Sequence, residues 1–399
     1  MSITSNNFAA NSIKEWKEQL YSELQEKSSM LSYWNEVEEL SFSLTDLEGP
    51  QLNFQYQPKE NWKCLLQIEA KDEKKSNKRI LKGLMQGANA LMIDNVTSNT
   101  DWYSLLKDVQ LAFIDCLIIF NNLESIDHYQ RTAPKDALAH CKILHAFGEN
   151  QIFFSSFSLQ QIGANCFTQL AATLSGVHRK LELNAKDTTL FIELGVGANF
   201  LVEVAKFMAI RHLLNQLASI HHVNITVQLI LKTGFCNKSL VDPHTNLLRQ
   251  ATEGLSAVLG ACDYLCIQPF DNLSEDGASE FGQRMALNVA NLIVEELKLS
   301  SINASLKGAY LIEKICLELT KISWSRLCEM DENQDLIDKY LKEQILKSRN
   351  LRIERFLAKA DILVGINAFE EKDASDQKKW GQLPQSLELP YLIFEKQII

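Results

Sequence analysis

From Trp62 onward, short apolar runs alternate with stretches whose apolar residues recur every three or four positions. The runs are WKCLLQIEA (62–70), NALMIDN (89–95), CLIIFNN (116–122), QIFFSSF (151–157), TLFIEL (189–194), ITVQLILKT (225–233) and YLCIQPF (264–270). KILHAF (142–147) reads as the remnant of another strand. Unbroken apolar runs, rather than alternating ones, mark strands covered on both faces. Strands repeating with helices predict a parallel sheet, and periodicity leaves it open or closed into a barrel. Helices are expected around Ser76–Gln86 and Trp102–Val109, and most clearly after residue 199. There Phe200, Leu201, Val204, Phe207, Met208, Ile210 and Leu214 form one apolar stripe, with Glu203, Lys206 and Arg211 expected largely outside it.

The first sixty residues read as a separate unit. Ile13 to about Ser28 predicts a helix with Trp16, Leu20 and Leu24 along one face, followed by a polar stretch and a Gly49-Pro50 turn. At the other end, LPQSLELPYLIFEKQII is unusually apolar for a tail and should pack on its own fold or on a partner.

Composition narrows the class. A chain of 399 residues that is 46% hydrophobic can build one large domain with appendages, or two domains. Only 16 Gly and 7 Pro argue against a turn-rich all-β fold. A net charge of −10, with no basic patch, speaks against nucleic acid as a partner. No apolar run is long enough for a membrane span, and the N-terminus lacks the features of a signal peptide. Nine cysteines, several inside apolar runs, fit reduced buried thiols and a cytoplasmic location. Cys262 and Cys266 lack the companions of a zinc site. His221-His222 is expected in a solvated loop.

The sharpest local signal is Gly195-Val-Gly197, a glycine turn between a strand and a helix. A dinucleotide loop wants a third small residue and an acid at the end of the next strand. Here Phe200 stands at the third place and the next strand ends in Lys232-Thr233. A tight corner into a packed helix explains the turn better than a cofactor does.

The surrounding residues resemble a known family. FIELGVGANFLVEVAKFMAIRHL is similar to the segment F-x-x-A-x-G-x-N-F-F-x-E-x-A-K-x-R-A-x-R of methylmalonyl-CoA mutases. VDPHTNLLRQATEGLSAVLGACDYLCIQPFD (241–271), LKGAYLIEKI (306–315), LVGINAF (363–369) and SSFSLQQIGANCFTQLAATLSGV (155–177) resemble further family segments in the right order. The resemblance implies an α/β fold of the (β/α)8 TIM-barrel type over residues 61–370. It also implies an N-terminal helical extension (1–60) that packs on a partner subunit, and a C-terminal tail (371–399). Fewer residues separate FNN (120–122) from QIFFSS (151–156) than is usual in the family, so the barrel is expected to be irregular near 121–150.

Departures from the family pattern carry the functional expectation. Phe157 and Ser158 stand where catalytic chains place Tyr-His beside the substrate thioester, so no catalytic residue is assigned. Gln228, Ile230 and Gly234 replace the polar positions of R-x-H-x-Q-T-S-G, and Tyr264-Leu-Cys266-Ile-Gln268 replaces S-L-H-T-N. A degenerate substrate pocket is therefore expected from Ser158, Gln160, Asn165, Gln228, Thr233 and Gln268. Gly163, Ala164, Asn246, Arg249 and Glu203–Lys206 are expected to be scaffold. The chain contains no D-x-H-x-x-G, the motif by which the family's separate cobalamin domain holds its cofactor. No cofactor or metal is expected on this chain, and the resemblance implies adenosylcobalamin on a partner.

Together these features resemble the small, non-catalytic chain of heterodimeric methylmalonyl-CoA mutases, whose expected partner is the large catalytic subunit. The alternatives are an orphan barrel binding CoA thioesters, a mutase borrowing a separate cobalamin-binding chain, and a methyltransferase or dehydrogenase using the glycine turn. The missing ribose acid speaks against the last, and the missing Tyr-His pair against the mutase with a borrowed chain.

Overall fold

The computed structural model describes residues 12–25, 27, 31–43, 61–299, 308–332, 336–369 and 380–397. Helix α1 (Ile13–Leu24) leads to an antiparallel hairpin of β1 (Ser32–Asn35) and β2 (Leu40–Ser43). Then come β3 (Lys63–Glu69), α2 (Glu73–Met85), β4 (Ala90–Asp94), α3 (Trp102–Leu105) and β5 (Asp115–Phe120). These are followed by α4 (Leu123–Thr132), α5 (Lys135–His140), β6 (Cys141–His145), β7 (Phe153–Ser155), α6 (Phe157–Gln161) and α7 (Cys166–Leu183). The rest of the barrel is β8 (Thr188–Val196), α8 (Phe200–Ile220), β9 (Ile225–Thr233), α9 (Thr245–Leu259), β10 (Tyr264–Cys266) and α10 (Glu280–Glu295). Two long helices, α11 (Tyr310–Glu332) and α12 (Ile337–Leu357), and a small hairpin of β11 (Gln385–Ser386) and β12 (Leu389–Pro390) complete the chain.

Strands β3 to β10 form one sheet in the order β6-β5-β4-β3-β10-β9-β8-β7, and every pairing is parallel. The first and last strands of the barrel, β3 and β10, are neighbours, so the sheet curls into a nearly closed barrel with helices outside. At the remaining seam, the Ile152 N–H donates to the His145 carbonyl at 3.0 Å. KILHAF supplies the strand β6. The expected irregularity lies just after it. Parallel neighbours usually need a long crossover, but residues 146–152 alone join β6 to β7, with no helix. That suffices because β7 starts level with the end of β6, so the chain need not return.

Alternation along the strands divides the core into two. Leu65, Met92, Leu117, Phe191 and Ile230 point inward and fill the barrel's lower half. Leu66, Leu91, Ile118, Ile192 and Leu231 point outward into a larger core beneath the helices. Helix α8 departs from the one-striped pattern expected of it. Val202 through Ile210 are all buried, including Glu203 and Lys206, because α7, α9 and α11 enclose the helix on three sides. A completely buried side chain such as Phe207 contributes roughly 1.5–3 kcal/mol of apolar burial.

The β1–β2 hairpin packs on this chain's own helices, with Leu40 and Phe42 in the outer core. Helix α1 buries none of its residues. His221 is not simply solvated: it caps α8, and its Nε2 lies 2.9 Å from His178 Nδ1 on α7. The described tail covers the C-terminal end of the barrel, where Leu392 and Ile393 are buried.

Candidate functional site

Inward-facing residues above the apolar floor are polar, and they meet near the C-terminal ends of the strands. On β9 the inward positions run Gln228, Ile230 and Lys232, and on β8 Glu193 points to the same level. Lys232 Nζ lies 3.5 Å from Glu193 Oε1 and 3.9 Å from the centre of the Phe157 ring. Ser155 Oγ donates to Glu193 Oε2 at 2.6 Å. Across the barrel, the Gln67 amide donates to Asp94 Oδ2, and Gln268 Nε2 donates to Gln67 Oε1 at 2.9 Å. Burial works against the Lys232 charge, yet Glu193, Cys266, Asp94 and Tyr391 together hold its pKa above the ordinary value. Burial pushes the Asp94 carboxyl up to about 6, against the pull of Lys232 and the Gln67 amide. The result is a polar chamber, one ammonium facing two carboxylates, roofed by Phe157 and by Tyr391 of the tail.

A second cavity, of about 450 Å³, lies beside the glycine turn, between the β1–β2 hairpin, the start of α8 and α12. Its polar wall is already braced. Glu38 accepts from the Cys166 N–H and from Arg352 Nη2, both at 2.7 Å. Lys206 Nζ donates to the Gly195 carbonyl at 2.7 Å and lies 2.6 Å from Glu203 Oε2. The backbone N–H of Gly197 serves the Glu203 carboxylate, where a phosphate-binding turn would keep it for a ligand. A Cβ at Gly195 would lie 1.8 Å from Gln160 Oε1, and one at Gly197 2.9 Å from Glu203 Oε1. The glycines make room for side chains of this same chain.

The residues expected to form a degenerate pocket are spread through the barrel. Thr233 and Gln268 meet: the Gln268 N–H donates to Thr233 Oγ1 at 2.9 Å. Gln160 accepts from the Gln161 amide at 2.8 Å beside the glycine turn. Ser158 Oγ faces Ser386 Oγ of the tail at 3.4 Å. Asn165 caps α7 through the Thr168 N–H and donates to the Val37 carbonyl at 3.1 Å. Gln228 sits lower on β9, with Ile230 between it and Lys232. The chamber's main charges, Lys232, Glu193 and Asp94, are not among the expected residues. Their signal is a lone charge at an inward position of an otherwise apolar strand.

The tail's Tyr391, Leu392 and Ile393 lie across the barrel mouth. Among the described residues, no group of three or more His, Cys, Asp or Glu side chains is arranged to hold a metal ion, and no helix is long and apolar enough to cross a membrane.

Residues 134–387 match the family model described as methylmalonyl-CoA mutase. The methylmalonyl-CoA mutase of Cereibacter sphaeroides is 29% identical over 241 residues, covering 55% of this chain and 33% of that protein. The methylmalonyl-CoA mutase small subunit of Porphyromonas gingivalis is 27% identical over 184 residues, covering 44% of this chain and 30% of that one. The chain thus spans about a third of the length of the curated relatives it matches. Among solved structures, a dihydropteroate synthase from Thermus thermophilus aligns with 66% of this chain and 99% of its own. With a TM-score of 0.31 and 11% identity, that likeness is too slight to bear on function.

Proposed function

The chain belongs to the methylmalonyl-CoA mutase family, and from that premise we propose that it is the non-catalytic small subunit of a heterodimeric, adenosylcobalamin-dependent methylmalonyl-CoA mutase. In this reading a large partner subunit holds the cofactor and interconverts methylmalonyl-CoA and succinyl-CoA, in the cytoplasm. The present chain supports it through an extensive interface.

One observation carries the reading: the polar groups of the barrel chamber are braced against one another, and the positions of the family's catalytic pair have lost their polar chemistry. The Phe157 ring lies against Lys232, and Ser158 faces the tail's Ser386, so the two positions that would be Tyr-His offer neither phenol nor imidazole to a thioester. A constellation that acts as a unit loses its activity when its members are replaced together. The small-subunit relative from Porphyromonas gingivalis supports the same reading. So does α1, whose Ile13, Trp16 and Tyr21 are all exposed and suited to a partner surface.

The test is co-expression with the large mutase chain of the same organism, followed by size-exclusion chromatography and a mutase assay with adenosylcobalamin. A one-to-one complex, active only while the large chain's cobalamin site is intact, is the expected result. Separate elution, with the large chain's activity unchanged, would sink the proposal. A second reading, an orphan barrel that binds CoA thioesters without mutase activity, draws on the open cavity that reaches Lys232. A stable monomer that binds such thioesters would favour it.

A further inference from the structure

The barrel has a side opening that is distinct from its covered mouth. Strand β10 pairs with β3 only through Tyr264↔Lys63 and Leu265↔Cys64, while β3 continues to Glu69. Above that level the two strands are bridged by the side chains of Gln67 and Gln268. A cavity of about 360 Å³ passes through this gap, a size that suits a small ligand. At its inner end stands Lys232, nine-tenths buried, with Glu193 no nearer than 3.5 Å and no acceptor within hydrogen-bond reach among the described residues. Between the barrel and the helix layer, Leu66, Ala286 and Ala290 make an apolar neck.

At the outer lip stand Lys75 and Arg79, one turn apart on α2. Gln283 accepts from Arg79 Nε at 2.9 Å and its amide donates to the Arg79 carbonyl, which fixes the guanidinium's direction. The two terminal nitrogens of Arg79 make no hydrogen bond among the described residues, and Glu69 attracts the guanidinium from nearby. Two carboxylates, Glu69 and Asp276, also line the cavity, but Glu69 is engaged by Lys71 at 2.6 Å. An aimed guanidinium whose terminal N–H groups are not hydrogen-bonded is the group best suited to a planar or tetrahedral oxyanion.

We propose that this gap is a ligand port: a phosphomonoester or carboxylate sets its anionic head on Arg79 and Lys75, and passes a carbonyl-bearing end through the neck to Lys232 and the Gln268 amide. Glu193 and Asp94 beside Lys232 make the chamber suit an uncharged carbonyl better than a second anion. Entry is lateral because Tyr391 and Ile393 of the tail close the axial route. The inference does not depend on a partner subunit.

The test is calorimetric titration of the full chain with four probes. Inorganic phosphate and acetate read the lip alone; dihydroxyacetone phosphate and 4-oxopentanoate carry the same heads with a carbonyl added. The carbonyl compound with the preferred head should bind at least about fivefold tighter than that head alone, and the preferred head identifies the ligand as phosphate or carboxylate. Arg79→Gln should weaken that compound about tenfold. Lys232→Met should erase the carbonyl advantage and leave head-group binding in place. Should Lys232→Met fail to fold, Gln268→Leu gives the same readout, and Ala290→Leu, which narrows the neck, should block only the longer probes. If no probe binds below about 10 mM, or if binding survives both Arg79→Gln and Ala290→Leu unchanged, the port does not exist.

Discussion

Two buried lysines of this protein do opposite things. Lys238, in the loop between β9 and α9, is buried. Its ammonium donates to Asn237 Oδ1 at 2.8 Å and to both Glu253 oxygens at 2.7 and 2.8 Å. Every donor is spent, and the loop after β9 is tied to α9. Lys232, six residues earlier on the same strand path, has one carboxylate at 3.5 Å, an aromatic face, and a cavity. The first is a brace; the second is a charge held ready beside open space. Burial alone does not separate them, since both are almost removed from solvent. What separates them is whether hydrogen-bonding capacity remains.

That contrast is open to direct test. The largest effect is expected from Lys238→Met, which strands the Glu253 carboxylate in the interior with a single amide donor. A loss of about 3–5 kcal/mol in urea unfolding is expected, and a loss near zero would remove Lys238 from the role of brace. Lys232→Met should cost less, about 1–2 kcal/mol, because Glu193 keeps the Ser155 hydroxyl and faces the cavity. Equal losses at the two sites would erase the distinction.

A third effect, at Asp94, depends on pH. Its folded pKa of about 6 lies above the ordinary value of 3.8 because burial opposes its charge. Its contribution to stability is therefore fully present below about pH 4 and is lost as pH rises through 6. Asp94→Asn, which removes that titration, should match the parent protein near pH 4 and exceed it at pH 7 by up to about 3 kcal/mol. Thermal melts at the two pH values check this; a difference that is the same at both would show that Asp94 does not titrate in this range.

Much of the fold is legible in the chain itself. The apolar runs locate the barrel strands, including the short KILHAF strand, because a strand covered on both faces has to be apolar at nearly every position. The glycine turn is legible as a corner because the residues that follow it, Phe200 and then Lys232-Thr233, deny a ribose its partner. The site is less legible. Thr233 and Gln268 do meet, but Gln228 lies a layer below and Asn165 serves as a helix cap. Lys232, Glu193 and Asp94 escape a reading of the sequence, because a single charge in an apolar strand does not say what faces it across a barrel.

The sequence by itself determined the parallel α/β architecture, the tight passage from strand into α8 (whose corner falls at 197–199, just past the expected Gly195, which still pairs in β8) and the family, since these rest on local pattern and on residues in linear order. Only the tertiary structure decided that three helices enclose α8, that the tail covers the barrel mouth, and that β3 outruns β10 to leave a gap beside Lys232. Each of these depends on residues far apart in the chain arriving at one place. The burial, pairing and pKa of a side chain are set by those neighbours rather than by its position in the sequence.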